Sequence, residues 1–247
     1  MGELGELLLA MGANNYAGLV VHSSILALPS NLRSAESIFR EFTSTLESGT
    51  TLVVPTYTLH LGDSVYDRES TPSVGTGVFS EFIRCIPGSV RSRTPMHSHA
   101  AIGDLAHLLE ESRPDDTIGT NSDFANFVEA EFFLLLIGVD FTRGATVMHH
   151  FEAIAEVPYR RVMSVPRKVS EDNIVRTLDV NYPARLNGDF KADFNRIVPR
   201  LRRAANSFSE TKIGGAVLTG VSLSQLSSVT SAAFAEDPYF FVDGRLT

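Results

Sequence analysis

One stretch constrains this chain more than any other: the apolar run 132–139 (FFLLLIGV), then a turn carrying Asp140, Thr142, Arg143 and Gly144, then 145–161 (ATVMHHFEAIAEVPYRR). The run has the length and composition of a buried strand. The segment after the turn has helical spacing, with His149 and Glu152 three apart and therefore on one helix face. A helix that starts just past a buried strand is where open α/β sheets place their ligands. The pair combines an imidazole, which ordinarily titrates near neutrality, with a carboxylate to orient it, the parts of a general base. His150 points elsewhere and reads as structural.

The rest of the chain supplies elements for a sheet around that strand. Residues 3–11 read as an amphipathic helix stopped by Gly12, and 17–22 (AGLVVH) as a short buried strand running into His22, Ser23 and Ser24. Small hydroxyl residues at such a place leave backbone N–H groups open to an anion or a narrow ligand chain. Ser34 caps a helix to Ser48, with Gly49 as its stop. A second strand follows at 51–57 (TLVVPTY), then a long loop, 58–77, containing Asp63, Asp67 and Glu69. Helices are expected at 78–86, 104–112 and 122–130, the last capped by Ser122. Further strands are expected at 160–165, 174–180 and 215–218, and helices at 191–205 and 223–235, with Pro199 at odds with a continuous helix. With no repeat or linker, the expected architecture is one α/β domain over 1–247. Its central sheet is mixed and partly parallel, with helices on both faces.

Charge and composition narrow the function classes. A net charge of −8 offers no basic stripe for nucleic acid; only 196–203 (RIVPRLRR) comes close, and it reads as a solvated helix face. No apolar run is long enough to span a membrane and the first residues are acidic, so the expectation is a cytoplasmic protein. Cys85 is the one cysteine; it lies in a helical pattern and reads as a buried structural thiol.

Seven stretches, in order, resemble the aminoglycoside 3-N-acetyltransferase family. They are VVHSSILAL (20–28), GTTLVVPTYT (49–58), GTGVFSEFIRCIPGSVRS (75–92), PMHSHAAIG (95–103), LLLIGVDFTRGATVMHHFE (134–152), VPYRR (157–161) and, more weakly, KIGGAVLTGVSLSQL (212–226). Two departures stand out. Thr94 occupies a position where the family usually has histidine, and the chain has no tryptophan.

The resemblance implies acetyl transfer from acetyl-CoA to an amine of an aminoglycoside or related amino sugar, without metal and with a homodimer as the one assembly entertained. It makes His149 the base and Glu152 its partner, with Thr146 either holding the base or donating to the developing oxyanion. For the cofactor it implies His22, Ser23, Ser24, Arg91, Ser92 and Ser98, with Ser122, Asp123 and Phe124 as further candidates. For the amine it implies Tyr57, Asp67 and Asp193. Three other readings are carried forward: an acyltransferase for a non-aminoglycoside biosynthetic amine, a non-catalytic binding relative, and a metal-dependent hydrolase. In the last, His97 and His99, two apart on an extended segment, would point the same way and be joined by His149.

Overall fold

The computed structural model describes residues 2–186 and 190–244. Its elements in chain order are α1 (Glu3–Ala10), β1 (Gly18–Ser23), α2 (Ala35–Thr45), β2 (Thr51–Pro55), β3 (Val65–Asp67), α3 (Val78–Cys85), β4 (Val90–Arg91) and β5 (His99–Ile102). Then come α4 (Leu108–Glu111), α5 (Asp123–Glu129), β6 (Phe133–Ile137), α6 (Phe141–Gly144), α7 (Val147–Ile154), β7 (Arg160–Glu171) and β8 (Ile174–Arg185). The last are α8 (Val198–Ala204), β9 (Ser209–Ile213), β10 (Ala216–Ser222) and α9 (Leu223–Glu236).

Seven strands form the main sheet in the order β4-β5-β2-β1-β6-β10-β9. The centre, β2-β1-β6, is parallel, and every outer pairing is antiparallel. Both faces are covered because side chains alternate along each strand. From β6, Leu134 and Leu136 join Phe124, Phe127, Met148, Leu226 and Phe234 in one core. Phe133, Leu135 and Ile137 join Leu4, Leu8, Ile38, Phe42, Phe79 and Ile83 in the other. All five β6 side chains are fully buried, so this strand carries the two cores on its two sides. The mixed sheet with helices on both faces matches the expectation.

Several local expectations differ. The strands expected at 160–165 and 174–180 are real but much longer. They pair with each other over twelve residues each, and β7 also pairs with β3, in a separate three-stranded sheet outside the main one. Asp172 and Asn173 both have positive φ, 52° and 63°, as a tight hairpin turn requires. The region around 90–103 contains β4 and β5, strands too short for period-two alternation to show. Pro199 falls in the first turn of α8, after a separate 3₁₀ turn at Phe194–Ile197, where a missing N–H costs little. Ser34 caps α2 as expected, its hydroxyl accepting from Ser37 N–H at 3.1 Å. Ser122 occupies the cap position of α5, but its hydroxyl donates to Gly119 O at 2.7 Å instead. Cys85 is exposed, a correction to the buried thiol: the core face of α3 is taken by Phe79 and Ile83.

Candidate active site

The site forms past the carboxyl ends of the parallel strands. After β6, Asp140 caps α6, its carboxylate accepting from Arg143 N–H at 2.9 Å, and the chain turns into α7 with Thr146 at the cap position. The three-residue spacing brings His149 Nδ1 to 2.6 Å from Glu152 Oε2. Two residues from the start of the hairpin complete the cluster. Arg160 Nε donates to the same Oε2 at 2.7 Å, and the Tyr159 hydroxyl donates to Oε1 at 2.9 Å. Arg160 Nη1 is tied to Pro183 O at 2.7 Å, so the guanidinium is anchored from both sides.

Glu152 is completely buried, and burial alone would raise its pKa. The hydrogen bond from His149, the positive charge of Arg160 and the Tyr159 hydroxyl outweigh burial and hold the carboxyl below its ordinary value. It is therefore a fixed negative charge. Arg160 Nη2 also lies 2.8 Å from His149 Nδ1, so the ring nitrogen faces a carboxylate and a cation together. A donor to an anionic oxygen makes the stronger, charge-assisted bond, so the proton belongs on Nδ1 and the lone pair on Nε2. The His149 side chain is 28% exposed, whereas that of Arg160 is 6% exposed. Phe194 packs edge-on against the imidazole with centroids 5.1 Å apart. The arrangement can accept a proton at Nε2 from a ligand on the open side. His150, by contrast, is buried and bonds to Ile118 O at 3.0 Å, and burial lowers its pKa.

The other expected residues fall into separate environments. Ser23 and Ser24 are partly exposed at the end of β1. There Gly138, with φ of 66°, passes so close that an added Cβ would lie 2.6 Å from Ser24 O. His22 is buried, and burial followed by the neighbouring His99 lowers its pKa to about 3, leaving it neutral. Arg91 is buried and its guanidinium is spent inside the fold. Nε and Nη2 donate to Thr56 and Ser98, Nη1 donates to Arg68 O and Thr71 O, and Tyr66 lies beneath it at 5.1 Å. Ser92 and Ser98 are fully buried, bonded to His99 and Thr56. Asp67 closes its own turn, accepting from Glu69 N–H and Ser70 N–H, and Asp193 accepts from Thr142 and Asn195 beside Phe194.

His97 and His99 do project the same way, onto Tyr57, with centroids at 5.2 and 5.5 Å. Their Nδ1 atoms are engaged separately, by Thr117 at 2.8 Å and by Asp123 at 2.8 Å. Among the described residues no group of three or more His, Cys, Asp and Glu is placed to share a metal ion. The hydrolase alternative therefore lacks its donor set. Thr94 is also interior, and its hydroxyl has no hydrogen-bond partner. Sequence reasoning missed the partnership of Arg160 and Tyr159 with Glu152 and that of Asp123 with His99. The sequence offered one usable hint, the VPYRR motif directly after α7.

Comparison with known proteins identifies the family. The family model described as aminoglycoside 3-N-acetyltransferase matches residues 20–235. Aminoglycoside N(3)-acetyltransferase VIII of Streptomyces fradiae is 38% identical over 97 residues, 39% of this chain and 34% of that protein. The first curated relatives are thus matched over about a third of their length. Aminoglycoside N(3)-acetyltransferase IV of Salmonella is 24% identical over 241 residues, 97% of this chain and 89% of that protein. Among solved structures, the complex of AAC-IIIb with CoASH superimposes with a TM-score of 0.83 at 20% identity, over 94% of this chain and 95% of that one. None of the described helices is long and apolar enough to cross a membrane. With the family model matching residues 20–235, most of the chain, the protein belongs to the aminoglycoside 3-N-acetyltransferase family.

Proposed function

We propose that this protein transfers the acetyl group of acetyl-CoA to an amine of an aminoglycoside or related amino sugar, in the cytoplasm, with His149 as general base. The observation that carries this reading is the His149–Glu152 pair, whose imidazole is 28% exposed while its Nδ1 is bound to a buried carboxylate. An ammonium ion has no lone pair, so the proton must leave nitrogen for the amine to attack. His149 Nε2 takes that proton, the C–N bond forms at the thioester carbonyl, and the C–S bond breaks. The imidazolium then returns the proton to the departing sulfur, and the remaining excess proton on the acylated nitrogen leaves to solvent, giving the neutral amide. Glu152 stabilises the imidazolium, and such a base contributes about 10²–10⁴ in rate.

Ser23 and Ser24, beside the close Gly138 backbone, are the best-placed of the expected cofactor residues, because they are accessible where the strand ends. Leu26 nearby is 81% exposed, a surface suited to the apolar part of a pantetheine chain. Arg91, Ser92, Ser98 and His22 would support that region from within. Asp67 and Asp193 would supply negative charge toward a cationic amine. Thr94 and the missing tryptophan, as departures from the family pattern, predict poor activity on at least some bulky aminoglycosides. The test is release of CoA thiol from acetyl-CoA across aminoglycosides, amino sugars and simple amines. The reading expects one thiol per acetylated amine and a higher melting temperature with acetyl-CoA. Failure of all amines, with no thermal shift, would overturn it.

A further inference from the structure

Arg160, the first residue of β7, takes no part in the proton transfer described above, yet its guanidinium is shared among three partners at the base. Nε donates to Glu152 Oε2 at 2.7 Å, Nη2 lies 2.8 Å from His149 Nδ1, and Nη1 donates to Pro183 O on β8 at 2.7 Å. The arginine side chain is buried, as is the carboxylate it meets. Beside it the root of the hairpin is closed, where Leu186 N–H donates to Tyr159 O at 3.0 Å. One rigid planar group therefore ties the carboxylate of α7, the imidazole of α7 and the second strand of the hairpin together.

Charge neutralisation alone accounts poorly for this geometry. An arginine that only balances a buried carboxylate is held most firmly by two parallel N–H···O bonds, one to each oxygen. Arg160 gives up that arrangement. It bonds one oxygen, Oε2, and turns Nη2 to the imidazole, while Oε1 takes its hydrogen bond from the Tyr159 hydroxyl at 2.9 Å. The oxygen that Arg160 holds is also the one 2.6 Å from His149 Nδ1. We propose that Arg160 is a positioning residue that fixes Oε2 where the Nδ1 proton meets it and keeps the His149 ring aimed at the incoming amine. At 2.6 Å two lone pairs would repel, so a proton lies between Nδ1 and Oε2 and the ring's lone pair is on Nε2. Nη2 then stands beside Nδ1 and blocks the ring from swinging off the carboxylate, while the bond to Pro183 O braces the fork against the hairpin. A guanidinium suits this task because its donors are fixed in one plane and its charge is permanent.

This inference rests on the acyl-transfer reading and names what orients the base of that same site. The test is a double-mutant cycle of Arg160→Lys and His149→Ala, assayed with acetyl-CoA and an accepted amine below the melting temperature of every variant. Lysine keeps the positive charge beside Glu152 and loses the fork. Arg160→Lys should lower kcat about tenfold, with KM for the amine and for acetyl-CoA within about twofold of wild type. In the His149→Ala background the same change should alter the residual rate by less than about twofold, because the ring through which Arg160 acts is gone. Full turnover in Arg160→Lys would show that only the charge matters, and equal losses in both backgrounds would show a merely structural role; either result overturns the proposal. Should Arg160→Lys fail to fold, Arg160→Gly assayed with guanidinium chloride takes its place. Guanidinium should then raise kcat per folded protein about tenfold over the same concentration of sodium chloride, and no gain would overturn the proposal. A wild type that releases no thiol would sink the acyl-transfer reading itself. A wild type that turns over, with Arg160→Lys unchanged, would sink only the role of Arg160.

Discussion

The His149–Glu152 and His99–Asp123 pairs are nearly alike in chemistry and opposite in setting. Their nitrogen–oxygen distances are 2.6 and 2.8 Å, and in both an imidazole Nδ1 faces a carboxylate with almost no exposure. The first imidazole is 28% exposed and the second is sealed. Glu152 is met by three side chains, including the Arg160 cation, whereas Asp123 has one oxygen bare. A pair that is charge-compensated and partly exposed can take a proton from a ligand. A sealed pair cannot. Pairing alone therefore does not identify a base; access to the imidazole does.

The largest effect expected from disturbing this contrast is on the open pair. Glu152→Gln leaves the buried Arg160 without its counter-charge, which should cost about 3–5 kcal/mol of stability and lower turnover as well. Denaturant midpoints of the two proteins check this. A variant as stable as the parent would show that Arg160 does not depend on the carboxylate.

The closed region should reveal itself through pH. His22 and His97 are both lowered from 6.5 to about 3, chiefly by burial. Between those values the unfolded chain binds protons that the folded chain excludes, so stability is full above pH 6.5 and falls as pH drops below it. Each histidine contributes a slope of up to about 1.4 kcal/mol per pH unit. The Glu152 carboxyl is also lowered, so its contribution is lost only below its ordinary 4.5. Urea midpoints should therefore begin to fall near pH 6.5, well before the carboxylates titrate. A flat profile to pH 5 would contradict neutral, sealed histidines.

The smallest effect concerns Thr94, whose buried hydroxyl lacks a partner. Thr94→Val keeps the shape and removes the unsatisfied group, so it should be neutral or stabilising by about 1 kcal/mol. A clear loss of stability would mean that the hydroxyl is bonded in solution.

What could be read from sequence follows the range of each interaction. His149 and Glu152 lie one helical turn apart, and helix period is a local property visible in a single segment. The buried run at β6 was legible for the same reason. His99 and Asp123 are 24 residues apart on a strand and a helix, and no local pattern brings them together. Arg160 meets Glu152 only because the chain turns back after α7. The β7–β8 segments showed strand composition, but nothing in a strand states which sheet it joins. Arg91 was expected to serve the cofactor, and only the fold reveals that its donors face internal acceptors.

The most direct test of the account compares pH–rate profiles of the wild type, His149→Ala and His150→Ala with acetyl-CoA and an accepted amine. Removing the base should lower the rate constant by about 10²–10⁴ and erase the acid limb, with acetyl-CoA binding near wild type. His150→Ala should keep the acid limb and turn over within about tenfold of wild type. A His149→Ala enzyme that kept both its rate and its acid limb, or an exchange of the two phenotypes, would contradict the assignment of His149 as the base.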